Sequence, residues 1–301
     1  MGYSGRYHAA SLAAVFLALA IGILIGVGLG RNVVSGARKD LEQSLKSDLS
    51  AARSRADTLQ GQLNRESDFS DEVYPALVGD ALGGERVAVV ALGGLPEDMK
   101  GDIESIVGPD SPTGAALAEA AVVAEPPDLG AVAEASEGSA LRLSRDPDTL
   151  SRLATRMGQA LANGGDPFGR LRDAMLTRIS GRPGGIDGVI VVRSRPANLN
   201  PTQSTATDAL ESGLLAGLQR AGRAPVVGVE LSSSDPSSIG FFDTAGLPAT
   251  VDSIDLASGR VALAYALRGA EGNFGIKPTA DRLMPELPHR VRTPVGIAGV
   301  R

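Results

Sequence analysis

The pattern of hydrophobic and polar positions divides the chain into four stretches of different character. Residues 9–29 contain no charged side chain. At about 1.5 Å per residue, a helix of that length crosses a hydrocarbon core of roughly 30 Å. The pattern therefore predicts a transmembrane anchor over residues 1–32, a coiled-coil spacer over 33–66, an α/β domain over 67–269 and a Pro/Gly-rich flexible tail over 270–301.

Three glycines recur at every fourth position of the anchor, at Gly22, Gly26 and Gly30. Such spacing places them along one helix face, where two backbones can approach closely. The pattern predicts a helix-pairing face and hence a homodimer or a higher oligomer. The alternative is that glycine is simply common in membrane helices.

A heptad pattern follows in the spacer. Apolar residues recur at spacings of 4, 3, 4, 3 and 4, with polar residues between them. They form an a/d seam typical of a short coiled coil, and they are Leu45, Leu49, Ala52, Ala56, Leu59 and Leu63. Leu41 lies four residues before the seam, which indicates a stutter. A single amphipathic helix packed on the domain is the alternative.

Beyond Pro75 the hydrophobic period alternates between that of strands and that of helices. Strands are predicted over residues 86–91, 120–124, 188–192, 225–229 and 249–253, and helices over 97–107, 148–162, 168–179, 202–221 and 258–267. This alternation predicts an α/β fold with a mostly parallel, Rossmann/flavodoxin-like sheet and helices on both faces. The tail lacks any periodic pattern, so we expect it to be extended or disordered.

Charge and composition narrow the classes of partner. The chain has no Cys, which excludes disulfides, thiolate metal sites and cysteine nucleophiles. Its net charge is −6, and residues 1–65 carry eight Lys/Arg against four Asp/Glu, so the remainder carries −10. An acidic domain argues against nucleic acid as a partner, whereas the basic charge near the anchor suits membrane lipid.

The orientation of the anchor is open at this stage. Arg6 precedes the apolar stretch, while Arg31, Arg38 and Lys39 follow it, which favours a cytoplasmic C-terminal side. A short N-terminus before one apolar helix is instead the layout of a signal-anchor that exports its C-terminal domain. We expect a single-pass membrane protein with an extracytoplasmic domain. The apolar stretch is longer than that of a cleaved signal peptide, although Ser35 and Ala37 resemble a cleavage site.

The domain contains few candidate catalytic or ligand-binding residues, and we expect that the protein is not an enzyme. Gly93-Gly94 follows the first strand, where phosphates bind in such folds, but the next helix opens with Glu97 and Asp98, which would repel an anion. A tight turn is the better interpretation. Both histidines lie outside the domain, which argues against a Ser-His-Asp triad. Arg193 and Arg195 follow the strongest strand, as part of a solvated loop or as a site for an acidic ligand.

Part of the anchor sequence resembles that of a known protein family. The run from His8 to Ala20, followed by Ile21-Gly22, resembles the start of the actinobacterial copper transport protein B (MctB) family. Gly272-Asn-Phe-Gly275 resembles a glycine–aromatic–glycine element of that family. The resemblance implies one N-terminal membrane helix, a coiled-coil segment, a C-terminal α/β domain and a role in copper transport and copper homeostasis.

The residues themselves offer copper few ligands. Copper prefers Cys, Met and His, and the sequence contains no cofactor motif, so a copper ion is implied only by the resemblance. Met157 and Met175 lie at apolar helix positions and are interpreted as core residues. Met284 and His289 are close in sequence but lie in the tail. The alternative function is a non-enzymatic dimeric scaffold that docks a cell-envelope protein.

Overall fold

A computed structural model describes residues 5–164, 169–181, 184–222 and 224–287. Within the first helix, the side chains described are those of residues 7–28 and 41–78. The chain separates into two compact units, residues 1–66 and residues 67–301.

Helix α1 runs without interruption from Gly5 to Val78, and Pro75 is the proline within its bounds. The sequence explains this length, because alanine, leucine and charged helix formers fill the stretch and no proline precedes its last turn. The predicted anchor and spacer are therefore parts of one helix. Its last turns belong to the second unit, where Tyr74 and Val78 are buried.

The second unit is built on a seven-stranded sheet with the order β3-β2-β1-β4-β5-β6-β7. All neighbouring pairs are parallel except β2 and β3, which are antiparallel. The strands are β1 Arg86–Leu92, β2 Ala116–Val123, β3 Leu176–Gly181, β4 Gly188–Arg193, β5 Val226–Val229, β6 Ala249–Val251 and β7 Gly272–Phe274.

Eight further helices connect these strands in the described part of the chain. They are α2 Glu97–Val107, α3 Leu129–Ala135, α4 Ala140–Arg145, α5 Pro147–Asn163, α6 Gly169–Met175, α7 Pro201–Arg220, α8 Ile239–Thr244 and α9 Ala257–Ala266. Local sequence fixes the ends of the long ones. The Asp146 carboxylate accepts the Thr149 N–H at the start of α5, and Asn200 and Gln203 form a reciprocal capping box at the start of α7.

The sheet buries an apolar core on each face. One core joins alternate residues of β1 and β2 to α3–α8 and includes Leu92, Val123 and Leu214. The other joins the opposite residues of the same strands to α2, α9 and the end of α1, and includes Val89 and Ile106. This arrangement confirms a mixed α/β fold with a mostly parallel sheet and helices on both faces. The coiled coil stays a prediction.

One expected helix was wrong in its last part, and one short strand was not expected. The helix expected over 168–179 ends at Met175, and residues 176–181 form the antiparallel edge strand β3. Thr177, Arg178 and Ser180 lie on this half-exposed edge, which has no strict apolar alternation to reveal it. A further strand lies in the segment that the sequence pattern assigns to the tail over 270–301. Gly272–Phe274 pairs with β6 as β7, and three residues are too few to show a period.

Candidate functional site

The carboxyl edge of the sheet contains a reversal of strand order between β1 and β4. The chain proceeds from β1 to β2 on one side of this point and from β4 to β7 on the other. Ligands of doubly wound sheets bind in the crevice outside such a point. Here a cleft of about 390 Å³ lies between the start of α2, the end of β4 and the loop after β5, with Met99, Arg193, Arg195 and Asp235 among its lining residues.

The two arginines at the end of β4 are bound by acidic residues of α7. Arg193 donates from Nε and Nη2 to the two carboxylate oxygens of Glu211, at 2.6 and 3.0 Å. Its guanidinium also lies 4.1 Å from the ring centroid of Phe241. Arg195 pairs with Asp208 and lies 3.4 Å from Glu211. Both guanidinium charges are therefore neutralised within the domain, which weakens the alternative that they form a site for an acidic ligand.

A third carboxyl group, that of Glu125, lies near these pairs at the end of β2. Both of its oxygens are buried and accept no hydrogen bond from the described residues. Burial, and then the charge of Glu211, raise the pKa of Glu125 to about 8. The group is therefore mostly protonated at pH 7. A side chain at Gly93 would overlap the Ser194 carbonyl and approach the Glu125 Oε2 to 2.8 Å, so the turn after β1 requires glycine.

On the other side of the cleft, Glu230 organises the loop that follows β5. It accepts the Ser238 N–H at 2.6 Å and the Ser237 hydroxyl at 2.7 Å. Lys277 donates from Nζ to the Glu230 Oε1 at 2.5 Å and to the Ser234 carbonyl at 2.9 Å. This ion pair is nearly buried and fixes the loop against the segment after β7.

The Gly272–Gly275 element forms β7 and the turn after it. Asp252, at the end of β6, accepts the N–H groups of Ile276 and Lys277, each at 2.8 Å. Gly275 has φ +139°, and a Cβ there would overlap the Asp252 carboxylate. The glycine thus permits both the backbone conformation and the approach of the carboxylate.

One further acid was missed from the sequence. Glu119 of β2 is buried on the same face as Ala121 and Val123, and its carboxyl oxygens have no hydrogen-bond partner among the described residues. Burial raises its pKa to about 7. The signal was present, because a charged residue in phase with the buried positions of a strand indicates a buried charge or a buried neutral acid.

The described residues contain no group of three or more His, Asp or Glu side chains placed to hold a metal ion. Met157 and Met175 lie in the first core, as predicted, and Met284 packs against the second. His8 is exposed on α1, and His289 lies outside the described residues.

The predicted pairing residues of α1 that the structure describes are exposed. A Cβ at Gly22 or Gly26 would meet nothing within 4 Å, and the side-chain surroundings of Gly30 are outside the description. The four leucines of the seam, Leu45, Leu49, Leu59 and Leu63, are 51–64% exposed, and Ala52 and Ala56 are also exposed.

Helix α1 also contains a candidate membrane span. Residues Tyr7–Gly28 are the one described segment that is long and apolar enough to cross a bilayer, and their side chains are exposed throughout. A signal sequence would meet the same criterion, so the length and composition of the segment identify it as a candidate only.

Comparison with known proteins extends over both units. No solved structure matches the chain significantly. Two relatives named copper transporter MctB, from Mycobacterium bovis and Mycobacterium tuberculosis, are each 26% identical to it over 311 aligned positions, which cover 90% of this chain and 95% of each relative. The family model described as copper transport outer membrane protein, MctB, matches residues 3–285. This match includes the apolar segment, the spacer and all seven strands. The chain therefore belongs to the MctB family.

Proposed function

We propose that this chain is a single-pass, membrane-anchored, copper transporter-like protein that acts in copper homeostasis. The observation that carries the proposal is the family match over residues 3–285, which includes the apolar segment and the α/β domain together. The relatives named copper transporter align over 95% of their own length, so the layout of the chain agrees with theirs.

The proposal is first tested in cells. A strain that lacks the gene should grow less than its parent at raised copper concentration, and expression of the full chain should restore growth. Raised zinc is the matched control and should affect both strains equally. Equal copper tolerance of the deletion strain and its parent would contradict the proposal.

Whether the chain itself binds copper is tested separately, with the purified full chain in detergent. The soft ligands that copper prefers are few here, since the chain has no Cys and Met157 and Met175 are core residues. We therefore expect no stoichiometric tight binding of Cu⁺ by the single chain in a competition titration with a chromogenic chelator. Tight one-to-one binding would show that ligands are brought together in a way the described residues do not indicate.

We further propose that the α/β domain is extracytoplasmic. A short N-terminus followed by one apolar helix supports this orientation, although three basic residues after the helix oppose it. A reporter active only outside the cytoplasm, fused after Arg301, should be active. A reporter active only in the cytoplasm should be inactive at the same position, and the reverse pair of results would place the domain inside.

A second candidate function is a non-enzymatic dimeric scaffold that docks a cell-envelope protein. The observation that favours it is the exposed seam from Leu45 to Leu63. The internal pairing of Arg193 and Arg195 supports a non-enzymatic role. Light scattering of the full chain in detergent should give the mass of two chains, and a strictly monomeric chain would rule out this scaffold.

A further inference from the structure

We propose that two copies of this chain pair in parallel and in register through the seam of α1, with Asp48 of one copy beside Arg53 of the other. The part of the glycine face of α1 that carries Gly22 and Gly26 lies outside this contact. The proposal rests on the dimer of the second candidate function and adds its interface, its alignment and the pairs of charges that select it.

Outside the membrane segment, the seam is the apolar face of α1 that is stabilised by burial against a partner. At 100° per residue, its six residues fall within about 40° of one line along the helix. An isolated helix is marginally stable in water, and its stability comes from burying an apolar face. The four seam leucines are more than half exposed. A second copy anchored in the same membrane presents the same face at the same height, so leucine meets leucine.

Charge complementarity specifies the alignment. With Leu49 at a heptad a position and Leu45 at d, Asp48 is at g and Arg53 is at e of the next heptad. In a parallel, in-register dimer these positions face each other across the seam, and twofold symmetry gives two Asp48–Arg53 pairs. The other facing positions combine Leu41 with Lys46 and Arg55 with Gln60. None of these pairs brings like charges together.

The geometry of an unbroken α1 separates the glycine face from the seam. On an ideal helix, Gly22, Gly26 and Gly30 lie about 140°, 100° and 60° around the axis from the centre of the seam. Glycine-mediated membrane pairs also cross at about −40°, with the opposite hand to a coiled coil. If two straight helices crossed at Gly26 at that angle, their axes would be about 28 Å apart at Ala52, some 39 Å along the helix. Seam contact needs axes 8–10 Å apart, so one pair of helices does not use both faces.

The chain has no native Cys, so single cysteines report the interface directly. We expect Leu49→Cys in the full chain to form a disulfide-linked dimer when membranes are oxidised with iodine. Gly26→Cys should stay at background. Ser54→Cys is the matched control, because residue 54 lies opposite the seam and is exposed. Crosslinking at Gly26 without crosslinking at Leu49, or equal crosslinking at both, would overturn the proposal.

Charge reversal tests the register. In the full chain in detergent, Asp48→Arg or Arg53→Asp should raise the dimer dissociation constant about tenfold, because each replaces two attractive pairs by like-charge pairs. The double variant should return to within about threefold of the parent. A double variant as weak as the singles would overturn the alignment. A chain that is monomeric in every variant would overturn the dimer and this interface together, whereas the copper tolerance of the deletion strain would be unaffected by that result.

Discussion

Replacement of Gly275 by alanine should be among the most damaging single changes in the α/β domain. The residue lies just after the edge strand β7, and its φ of +139° is favourable for glycine and strained for alanine. A Cβ there would overlap the Oδ1 of Asp252 and lie 2.7 Å from its Oδ2. The carboxylate of Asp252 must move, and it holds the backbone N–H groups of Ile276 and Lys277.

The size of the effect follows from two contributions. Holding a non-glycine residue in this backbone region costs about 1–3 kcal/mol. Displacing a buried carboxylate from an N–H group costs about 1.5–3 kcal/mol for each hydrogen bond lost. With one bond lost, the free energy of unfolding should fall by about 3–5 kcal/mol. For a domain of this size, that is a decrease in Tm of at least about 6 °C.

The assay is urea and thermal unfolding of the full chain in detergent, followed by far-UV circular dichroism and by tyrosine fluorescence, since the chain has no Trp. Gly101→Ala is the matched control. Gly101 is exposed inside α2, and a Cβ there meets nothing within 4 Å. Alanine should stabilise that helix by about 0.5–1 kcal/mol. If Gly275→Ala unfolds within about 0.5 kcal/mol of the parent, the argument from the Asp252 contact is wrong.

Two further variants test the buried acids. The pKa of Glu119 is raised from its ordinary 4.5 to about 7, so folding favours the protonated acid. Its contribution is fully present below pH 4.5 and is lost as pH rises to about 7. Glu119→Gln should therefore flatten the decline in unfolding free energy over that range, and an unchanged pH profile would contradict the assignment. Glu211→Ala should cost about 3–5 kcal/mol in urea unfolding, because it leaves Arg193 without its buried partner. Asp173→Ala removes an exposed pair and should change stability by less than about 1 kcal/mol. Equal effects of the last two variants would refute this reasoning.

The central part of the fold could be predicted because its sequence signals are local. Strands β1, β4 and β5 are runs of valine, isoleucine and alanine buried on both faces, and such runs are typical of parallel sheets. Helices α5 and α7 begin with a capping residue followed by proline, which marks their starts. These elements were predicted to within a residue or two.

The two edges of the sheet were not predictable in the same way. Strand β3 is exposed along most of its length, and β7 has three residues. Each is held by backbone pairing with a neighbour that lies far away in sequence. The Thr250 hydroxyl of β6 also donates to the Asn273 side chain of β7. Neither feature leaves a local period. The contacts at the carboxyl edge of the sheet were not predictable either. Glu230 and Lys277 form an ion pair there, although they are 47 positions apart in the sequence.

One kind of signal could nevertheless have indicated the buried charges. Glu211 lies on the apolar face of α7, between Leu210 and Leu214, where the helical period calls for an apolar residue. Glu119 breaks the apolar phase of β2 in the same manner. A charge in such a position is costly unless it is paired or neutral, and the two acids represent the two outcomes. Glu211, midway along α7, has Arg193 within reach because α7 starts just after the carboxyl end of β4 and runs back along that strand. Glu119 lies midway along β2 without a hydrogen-bond partner among the described residues, and burial raises its pKa to about 7, which favours the protonated acid. The sequence pattern thus identifies the costly position, and the presence or absence of a cation within reach decides between an ion pair and a neutral acid.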